Sequence, residues 1–509
     1  MRGIPSVCAM LLAVALCLSG CMPGSQEPEA SNEISLPQPP EEPENMILGE
    51  TMSNIVNSVT LYYAAQDGAS FSSITRSVRA EAGQSLPEVA IASLLQTQGD
   101  GAARSMSDTW LLGCEYACGT VTVNLSIDAR NAQSPQELLA LQTSIGNTLL
   151  EIDGVRGVNV LIGGLSESYC QLPPGVQTAN IASVTASYAQ LQAERDRLNQ
   201  ADADPIERDA LIYFPTRGGD WLVPELRHIS ARNGDFITAL IDALRGGPEQ
   251  ESCAVSSIPG GVELLDSHPA IRTLSNGERA LDLNFSSALA NYLAFSGLDV
   301  WELAGSLTLT MCSFLPELDA VRVMVNGDPI TMCEMGNCIT TFEHGLIHRS
   351  DFSGRVGSVA MLYLVNQAGA LQPVWQAVST HSALSPRSLL SELLRCTSPD
   401  AAPRMPLPGG IGDEDILGVQ TSGGLARVNL SANFYRLCQS LTPAEEYGAI
   451  YAMVNTLCQL ESVRAVRFYV EGCAADTLAG GIYLKSILLP NPGVVQDSPS
   501  PVDDDSPQQ

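Results

Sequence analysis

Two cysteines and two histidines supply zinc-type side chains within one short segment. Cys333, Cys338, His344 and His348 span 16 residues, and thiolates and imidazoles are the usual ligands of structural zinc. Only five residues separate Cys338 from His344, which is too few for a zinc finger. A Cys333/Cys338 disulfide or two free thiols explain the cysteines better, so we predict no metal and no other cofactor.

Motifs of hydrolytic and phosphoryl-transfer enzymes are absent from the sequence. The chain has five histidines, and it contains no nucleophile elbow, no phosphate-binding loop and no zincin motif. The segment His344-Gly345-Leu346-Ile347-His348 lacks the glutamate that a metalloprotease uses as its base. We therefore predict a protein that is not an enzyme.

The N-terminal residues predict lipid attachment at Cys21. An apolar run from Ile4 to Leu18 leads into Ser19-Gly20-Cys21, and small residues of this kind precede a lipoprotein cleavage site. Residues 1–20 are then a signal peptide, and Cys21 anchors the chain to the extracytoplasmic face of the cell membrane. The alternatives are a signal peptide cut elsewhere and a short membrane anchor.

The charge of the chain excludes one class of partner. The formal net charge is -30, and a surface this acidic repels nucleic acid. Residues 21–56 are rich in proline and glutamate, and residues 486–509 are rich in proline and aspartate. Such segments bury too little apolar area to offset their chain entropy, so we predict a disordered tether and a disordered tail.

Three capping boxes mark three copies of one folding unit. In this motif the cap residue and the third helical residue satisfy each other's backbone N–H groups. Each box follows an alternating apolar strand, and the three are Ser134/Glu137, Asp299/Glu302 and Thr442/Glu445. From each glutamate to the first valine of the next strand is 18, 19 and 18 residues, and this agreement indicates an internal repeat.

Each unit is predicted to be an α+β domain with the order β-α-β-β-α-β. Its sheets are antiparallel or mixed, and its two helices pack on one face. The predicted domains are residues 57–165, 208–330 and 356–485. Residues 166–207 are predicted to be a linker with one helix, and residues 331–355 a connector. The alternative for the linker helix is a coiled-coil strand that binds a partner.

Three stretches of glycine and proline punctuate the second and third units. They are Gly246-Gly247-Pro248, Pro259-Gly260-Gly261 and Pro408-Gly409-Gly410. Glycine and proline supply the backbone geometry that helix ends and tight turns require. We interpret these stretches as structural, with ligand-binding loops as the alternative.

The second unit resembles the GerMN domain of GerM-like sporulation and germination lipoproteins. The segments that carry the resemblance are Leu211 to Phe214, Leu222 to Arg227, Ala243 to Pro248, Ile258 to Gly261, Leu281 to Phe285 and Val323 to Gly327. The third unit keeps Leu407-Pro408-Gly409-Gly410, whereas the first unit lacks both kinds of glycine-proline stretch. GerM-like proteins carry two such domains, so a third copy departs from the pattern.

The resemblance implies a non-enzymatic extracytoplasmic lipoprotein of sporulating bacteria that supports assembly of a secretion-like envelope complex. GerMN domains look like the ring-building modules of such machines. We expect an interaction scaffold in spore formation or germination, with protein partners of the cell or spore envelope, or with its own copies as a homo-oligomer. The alternatives are a sensor-associated lipoprotein and an envelope binding module for peptidoglycan or a small ligand.

Overall fold

A computed structural model describes residues 49–52, 56–65, 69–80, 84–96, 108–198, 200, 204–266, 268–396, 403–460 and 462–496. The predicted signal peptide, Cys21, most of the predicted tether and residues 497–509 lie outside the described residues. The described part belongs to one compact unit, Asn45–Gln509. Among its helices, none is long and apolar enough to cross a bilayer.

Repeat one follows a short strand, β1 (Gly49–Met52). Its elements are β2 (Val56–Ala64), β3 (Phe71–Arg79), α1 (Leu86–Gln96), β4 (Leu111–Ala117), β5 (Thr120–Leu125), α2 (Pro135–Leu150) and β6 (Gly157–Ile162). A helix, α3 (Val184–Arg197), then leads to repeat two.

Repeat two contains one more helix and several short strands. Its elements are β7 (Ile206–Pro215), β8 (Leu222–Ala231), α4 (Phe236–Arg245), β9 (Ile271–Thr273), β10 (Arg279–Phe285), α5 (Ala288–Ser296), α6 (Val300–Phe314), β11 (Ala320–Val325), β12 (Asp328–Pro329), β13 (Met332–Met335), β14 (Cys338–Thr341) and β15 (Ile347–His348).

Repeat three also has three helices, but it has fewer strands than repeat two. Its elements are β16 (Gly357–Val365), β17 (Leu371–Ser379), α7 (Pro386–Arg395), β18 (Ile416–Ser422), β19 (Leu425–Leu430), α8 (Ala432–Cys438), α9 (Pro443–Leu457), β20 (Ala465–Val470) and β21 (Cys473–Ala474). The predicted α+β class and threefold repetition are confirmed. Each repeat has at least one strand more than the predicted order, because its first strand belongs to an antiparallel hairpin.

One buried helix forms the centre of each repeat. β5 and β6 pair in parallel, as do β10 with β11 and β19 with β20, so α2, α6 and α9 are the crossovers between parallel strands. We call them the central helices. Every residue of α6 from Trp301 to Phe314 is buried, because strand β11 and the hairpin strand β7 both pack against this helix.

A threonine of each central helix holds the opening hairpin. The Thr148, Thr310 and Thr456 hydroxyls accept the backbone N–H groups of Tyr62, Tyr213 and Tyr363 at 2.9, 3.0 and 3.0 Å. These three tyrosines therefore occupy one position of the repeat. A buried hydrogen bond of this kind contributes about 1 kcal/mol, and losing its acceptor costs more.

An asparagine closes the other end of each parallel pair. The Asn124, Asn284 and Asn429 side chains each accept a backbone N–H at 2.8 Å, from Gly164, Gly327 and Gly472. All three glycines have positive φ, between 77° and 91°, which glycine adopts without strain. The asparagine of one strand and the glycine that follows its parallel neighbour therefore form the same contact in each repeat.

The segment after each closing strand belongs to the repeat before it. Gln177, Ile347 and Leu488 pair antiparallel with Val158, Val321 and Val466. We call residues 176–178, 346–348 and 487–489 the return segments. The structure therefore continues the three domains beyond their predicted ends at residues 165, 330 and 485, because each closing strand gains a further partner.

Two predicted disordered segments are partly built into repeat three. Within the predicted tail, the Asn491 N–H donates to the Asn455 side chain at 2.9 Å, and Gln496 donates to the Leu371 carbonyl. Within the predicted tether, β1 pairs in parallel with β18. Residues 486–496 and 49–52 are therefore part of the folded body, since each satisfies backbone groups of that repeat.

Repeat one has a hydrophobic cluster of its own, and a second cluster joins its end to repeat two. Tyr169, Leu172 and Val176 from the end of repeat one lie in the same cluster as the hairpin and central helix of repeat two, whereas repeat three has a cluster of its own. The predicted linker helix is present as α3. Its Val184 and Leu191 are buried within this chain, so its apolar stripe is not a free coiled-coil seam.

Candidate functional site

The four zinc-type residues do not gather in one place. Cys333 is buried on β13, Cys338 is exposed on β14, His348 lies in β15, and His344 occupies an exposed turn at φ 54°. Within the described ranges, no group of three or more histidine, cysteine or acidic side chains is arranged to hold a metal ion. These four residues therefore do not form a zinc site in the described part of the chain.

The cysteines described by the structure are all free thiols. Cys333 and Cys338 are therefore not joined, which leaves the free-thiol alternative. Burial raises the pKa of Cys333 to about 11 and that of Cys114 to about 12. Because the thiolate is the reactive form of cysteine, neither group is an active nucleophile near neutral pH.

The glycine and proline stretches take up the backbone conformations of a helix end and of turns. Gly247 has φ 74°, and its N–H donates to Leu244 just past the end of α4. In the stretch Pro259-Gly260-Gly261, the Pro259 carbonyl accepts the Val262 N–H at 3.1 Å in a tight turn. In the stretch Pro408-Gly409-Gly410, Gly410 has φ 89°. These positions fit the structural interpretation.

A histidine between two carboxylates forms a polar cluster on the first hairpin of repeat two. His228 Nδ1 lies 2.9 Å from Asp209 Oδ1, and His228 Nε2 lies 3.2 Å from Glu207 Oε2. The hydrogen bond with Asp209 raises the pKa of His228. The nearby Ser230 hydroxyl donates to Glu207 at 2.8 Å instead of facing the imidazole, so the cluster lacks the geometry of a catalytic triad.

A cavity of about 590 Å³ lies where the three repeats meet. Its lining comes from repeat one, from the segment after β15 and from repeat three, and includes Glu88, Glu115, Arg349, Ser353, His381 and Ser385. The Arg349 guanidinium donates to the Ser313 hydroxyl and lies 4.0 Å from Glu115. Burial raises the pKa of Glu115, and Arg349 offsets part of that rise. The lining suits a small polar molecule carrying both signs of charge.

An apolar patch lies at the open edge of the sheet in repeat one. Trp110, Leu112 and Ile127 are 70%, 59% and 62% exposed. The Trp110 carbonyl accepts the Ser126 N–H at 2.8 Å, which holds the patch together at the start of β4. Within the described residues β4 pairs only with β5. The equivalent strand of repeat three, β18, is covered by β1, so the two edges differ in whether a strand occupies them.

A second exposed edge lies at the last return segment. Leu488 pairs with Val466 and is buried, while its neighbours Ile487 and Leu489 are 55% and 64% exposed. Neither edge was predicted from the sequence. The internal repeat could have identified the edge at the last return segment. Val158 and Val466 occupy the same position in their parallel pairs, so their return segments are equivalent.

A family model described as "Germane: Sporulation and spore germination" matches residues 60–168, 211–331 and 361–476. These three ranges coincide with the three repeats and cover well over half of the chain. No curated protein matches the chain.

Three solved structures are similar to parts of the chain. The tandem GerMN domains of the sporulation protein GerM from Bacillus subtilis are 19% identical, cover 54% of this chain and 92% of their own, and have a TM-score of 0.23. A putative lipoprotein from Clostridium perfringens is 16% identical over 26% of this chain and 87% of its own, with a TM-score of 0.19. The first GerMN domain of the Bacillus protein is 18% identical, covers 26% of this chain and 96% of its own, and has a TM-score of 0.19.

Proposed function

Because this chain belongs to the Germane family of sporulation and spore germination proteins, we propose that it is a non-catalytic scaffold that binds protein partners during spore formation or germination. Its three repeats form one body that presents several surfaces. In this proposal the chain is attached to the extracytoplasmic face of the cell membrane through Cys21. It supports assembly of an envelope complex.

The open edge of β4 is the observation that carries this proposal. An unpaired strand edge offers a row of backbone donors and acceptors to another chain. Here that edge is flanked by the exposed side chains Trp110, Leu112 and Ile127. Soluble proteins rarely leave clustered large apolar side chains exposed unless a partner covers them. Repeat three shows that the same edge of this fold accepts an added strand, since β1 pairs with β18.

The chemistry of the described residues is consistent with a scaffold. The shifted cysteine pKa values correspond to protonated thiols, and His228 faces carboxylates rather than a nucleophile. The net charge of -30 disfavours nucleic acid as a partner.

The substitution Leu112→Asp tests the scaffold role in the native organism. A charge at this edge opposes burial against a partner, so we expect spores to show the defect of a strain that lacks the protein. Ile339→Asp is the matched control, because Ile339 is exposed on a hairpin away from β4. Normal spores from the deletion strain would contradict the proposed function. If the deletion strain is defective but the Leu112→Asp strain forms normal spores, the partner binds a surface other than the β4 edge.

A second candidate function is binding of a small envelope ligand such as a peptidoglycan fragment. The cavity where the three repeats meet supports it, because Arg349, Glu88 and Glu115 place both signs of charge on its lining. Co-sedimentation with purified cell wall tests this function. Binding that is lost in Arg349→Gln but kept in the exposed control Arg195→Gln would support it, and absence of binding by the unaltered chain would remove it.

A further inference from the structure

The outer edge of the first return segment is covered by the next repeat. The Val176 N–H donates to the Asp209 carbonyl of β7 at 2.8 Å, and the Thr178 hydroxyl donates to the Asp209 carboxylate at 2.7 Å. Val176 is consequently only 7% exposed. The contact between repeats one and two is thus a return segment laid against the first strand of a hairpin.

The last return segment presents the same edge without a cover in the described part of the chain. Leu488 exchanges two backbone hydrogen bonds with Val466, as Gln177 does with Val158. Ile487 therefore occupies the position of Val176, and its N–H points away from β20 because neighbouring strand residues alternate in direction. Its side chain is 55% exposed, and no described hairpin strand pairs with this segment.

The complementary half of the contact lies at the other end of the molecule. Tyr62 and Tyr213 hold one position of the repeat, as their bonds to Thr148 and Thr310 show. Four residues before them stand Ser58 and Asp209, so the Ser58 carbonyl corresponds to the group that accepts from Val176. Ser58 is exposed, and β2 pairs only with β3 among the described strands.

We propose that a second copy of this chain docks β2 of its repeat one against the return segment Ile487–Leu489, in the arrangement that joins repeats one and two within a chain. This inference rests on the scaffold function and names one of its partners. The Ile487 N–H donates to the Ser58 carbonyl of the other copy, and Ile487 and Leu489 become buried.

The contact is heterologous, because two different surfaces meet. A pair of bound copies therefore leaves one donor surface and one acceptor surface free, and copies add in one direction until a ring closes or a filament grows. Copies with a net charge of -30 repel one another, and salt screens that repulsion. Self-association should accordingly strengthen as ionic strength rises, opposite to a contact held by ion pairs.

Sedimentation equilibrium of the full-length chain in mild detergent, at low and high salt, measures the association. We expect reversible self-association that is stronger at high salt. Ile487→Asp should weaken it by at least about tenfold, as burial of a charge at a contact centre does. The control Ile339→Asp should leave it within about twofold. A chain that is monomeric at every concentration reached would overturn the inference.

A photo-cross-linking amino acid at position 487 identifies the surface that is bound. In a mixture of unlabelled and ¹⁵N-labelled copies, we expect cross-links between differently labelled chains at residues 56–60. Cross-links between copies at any other segment would overturn the inference. A monomeric chain in a cell whose spores still depend on Leu112 would refute self-docking and leave the scaffold function standing.

Discussion

Repeats two and three start their central helices with the same capping motif, and its glutamate lies in different surroundings. Glu302 is 3% exposed and accepts the Asp299 N–H at 2.8 Å. Glu445 is exposed and accepts the Thr442 N–H at 2.9 Å and the Thr442 hydroxyl at 2.7 Å. The tip of the β7–β8 hairpin covers only the first glutamate, since a Cβ at Gly219 would lie 3.7 Å from Glu302 Oε1.

This difference in cover reverses the response of the two glutamates to protons. Burial raises the pKa of Glu302 from 4.5 to about 7, and the charges of Asp299 and Asp220 add to the rise. The hydrogen bonds from Thr442 lower the pKa of Glu445. One sequence motif therefore yields a group that destabilises the fold when ionised and another that stabilises it when ionised. Packing outside the motif therefore decides whether ionisation of the glutamate stabilises or destabilises the fold.

The largest expected effect comes from Glu302→Gln. A raised pKa means that the folded state holds its proton more tightly, so the stability due to Glu302 is present below pH 4.5 and lost as pH rises through about 7. The glutamine variant should match the unaltered chain near pH 4 and exceed it above pH 7 by about 3 kcal/mol. Calorimetric unfolding midpoints of both proteins at several pH values check this. Equal midpoints at high pH would show that ionisation of Glu302 does not destabilise the fold.

Thr310→Val and Thr456→Val compare the same helix position in the two repeats. Each removes the acceptor of a backbone N–H, from Tyr213 in a buried setting and from Tyr363 in a partly buried one. We expect a loss of about 2 kcal/mol for Thr310→Val and about 1 kcal/mol for Thr456→Val. Hydrogen exchange of the Tyr213 and Tyr363 amides localises the change. A larger loss of stability for Thr456→Val than for Thr310→Val would contradict the expectation that the more buried hydrogen bond contributes more.

The smallest effect is expected from Glu445→Gln. Because its pKa is lowered in the folded state, Glu445 contributes stability above its ordinary pKa that is lost as the pH falls through the folded-state pKa. The group is exposed, so solvent screening limits this contribution to a few tenths of a kcal/mol. The variant should be slightly less stable at pH 7 and indistinguishable at pH 3, in the same calorimetric series. A gain in stability at pH 7 would contradict the assignment.

Local signals in the sequence predicted the repeat and its central helices. The boxes at Ser134, Asp299 and Thr442 need only residues three positions apart, and the helices begin at these caps. The sequence places the return segments in the predicted linker, connector and tail, because their pairing with Val158, Val321 and Val466 depends on distant strands. No turn signal announces such a contact.

The sequence does not predict the candidate surfaces either, because they also depend on contacts between distant segments. Whether Glu302 or Ile487 is covered depends on which hairpin lies above it, and no pattern near either residue reports that. The cavity at Arg349 likewise arises only when three repeats meet. The zinc-type residues show the converse, since Cys333 and His348 are close in sequence yet lie on different strands.

Strand β1 gives the molecule a mechanical property. It lies on the sheet of repeat three, and the chain then enters repeat one at Val56. A force applied to the chain just before Gly49 loads the four-residue parallel pairing between Gly49–Met52 and β18. That short ladder should separate at lower force than the hydrophobic clusters of the repeats. Its release would lengthen the chain segment before Val56 and expose the edge of β18.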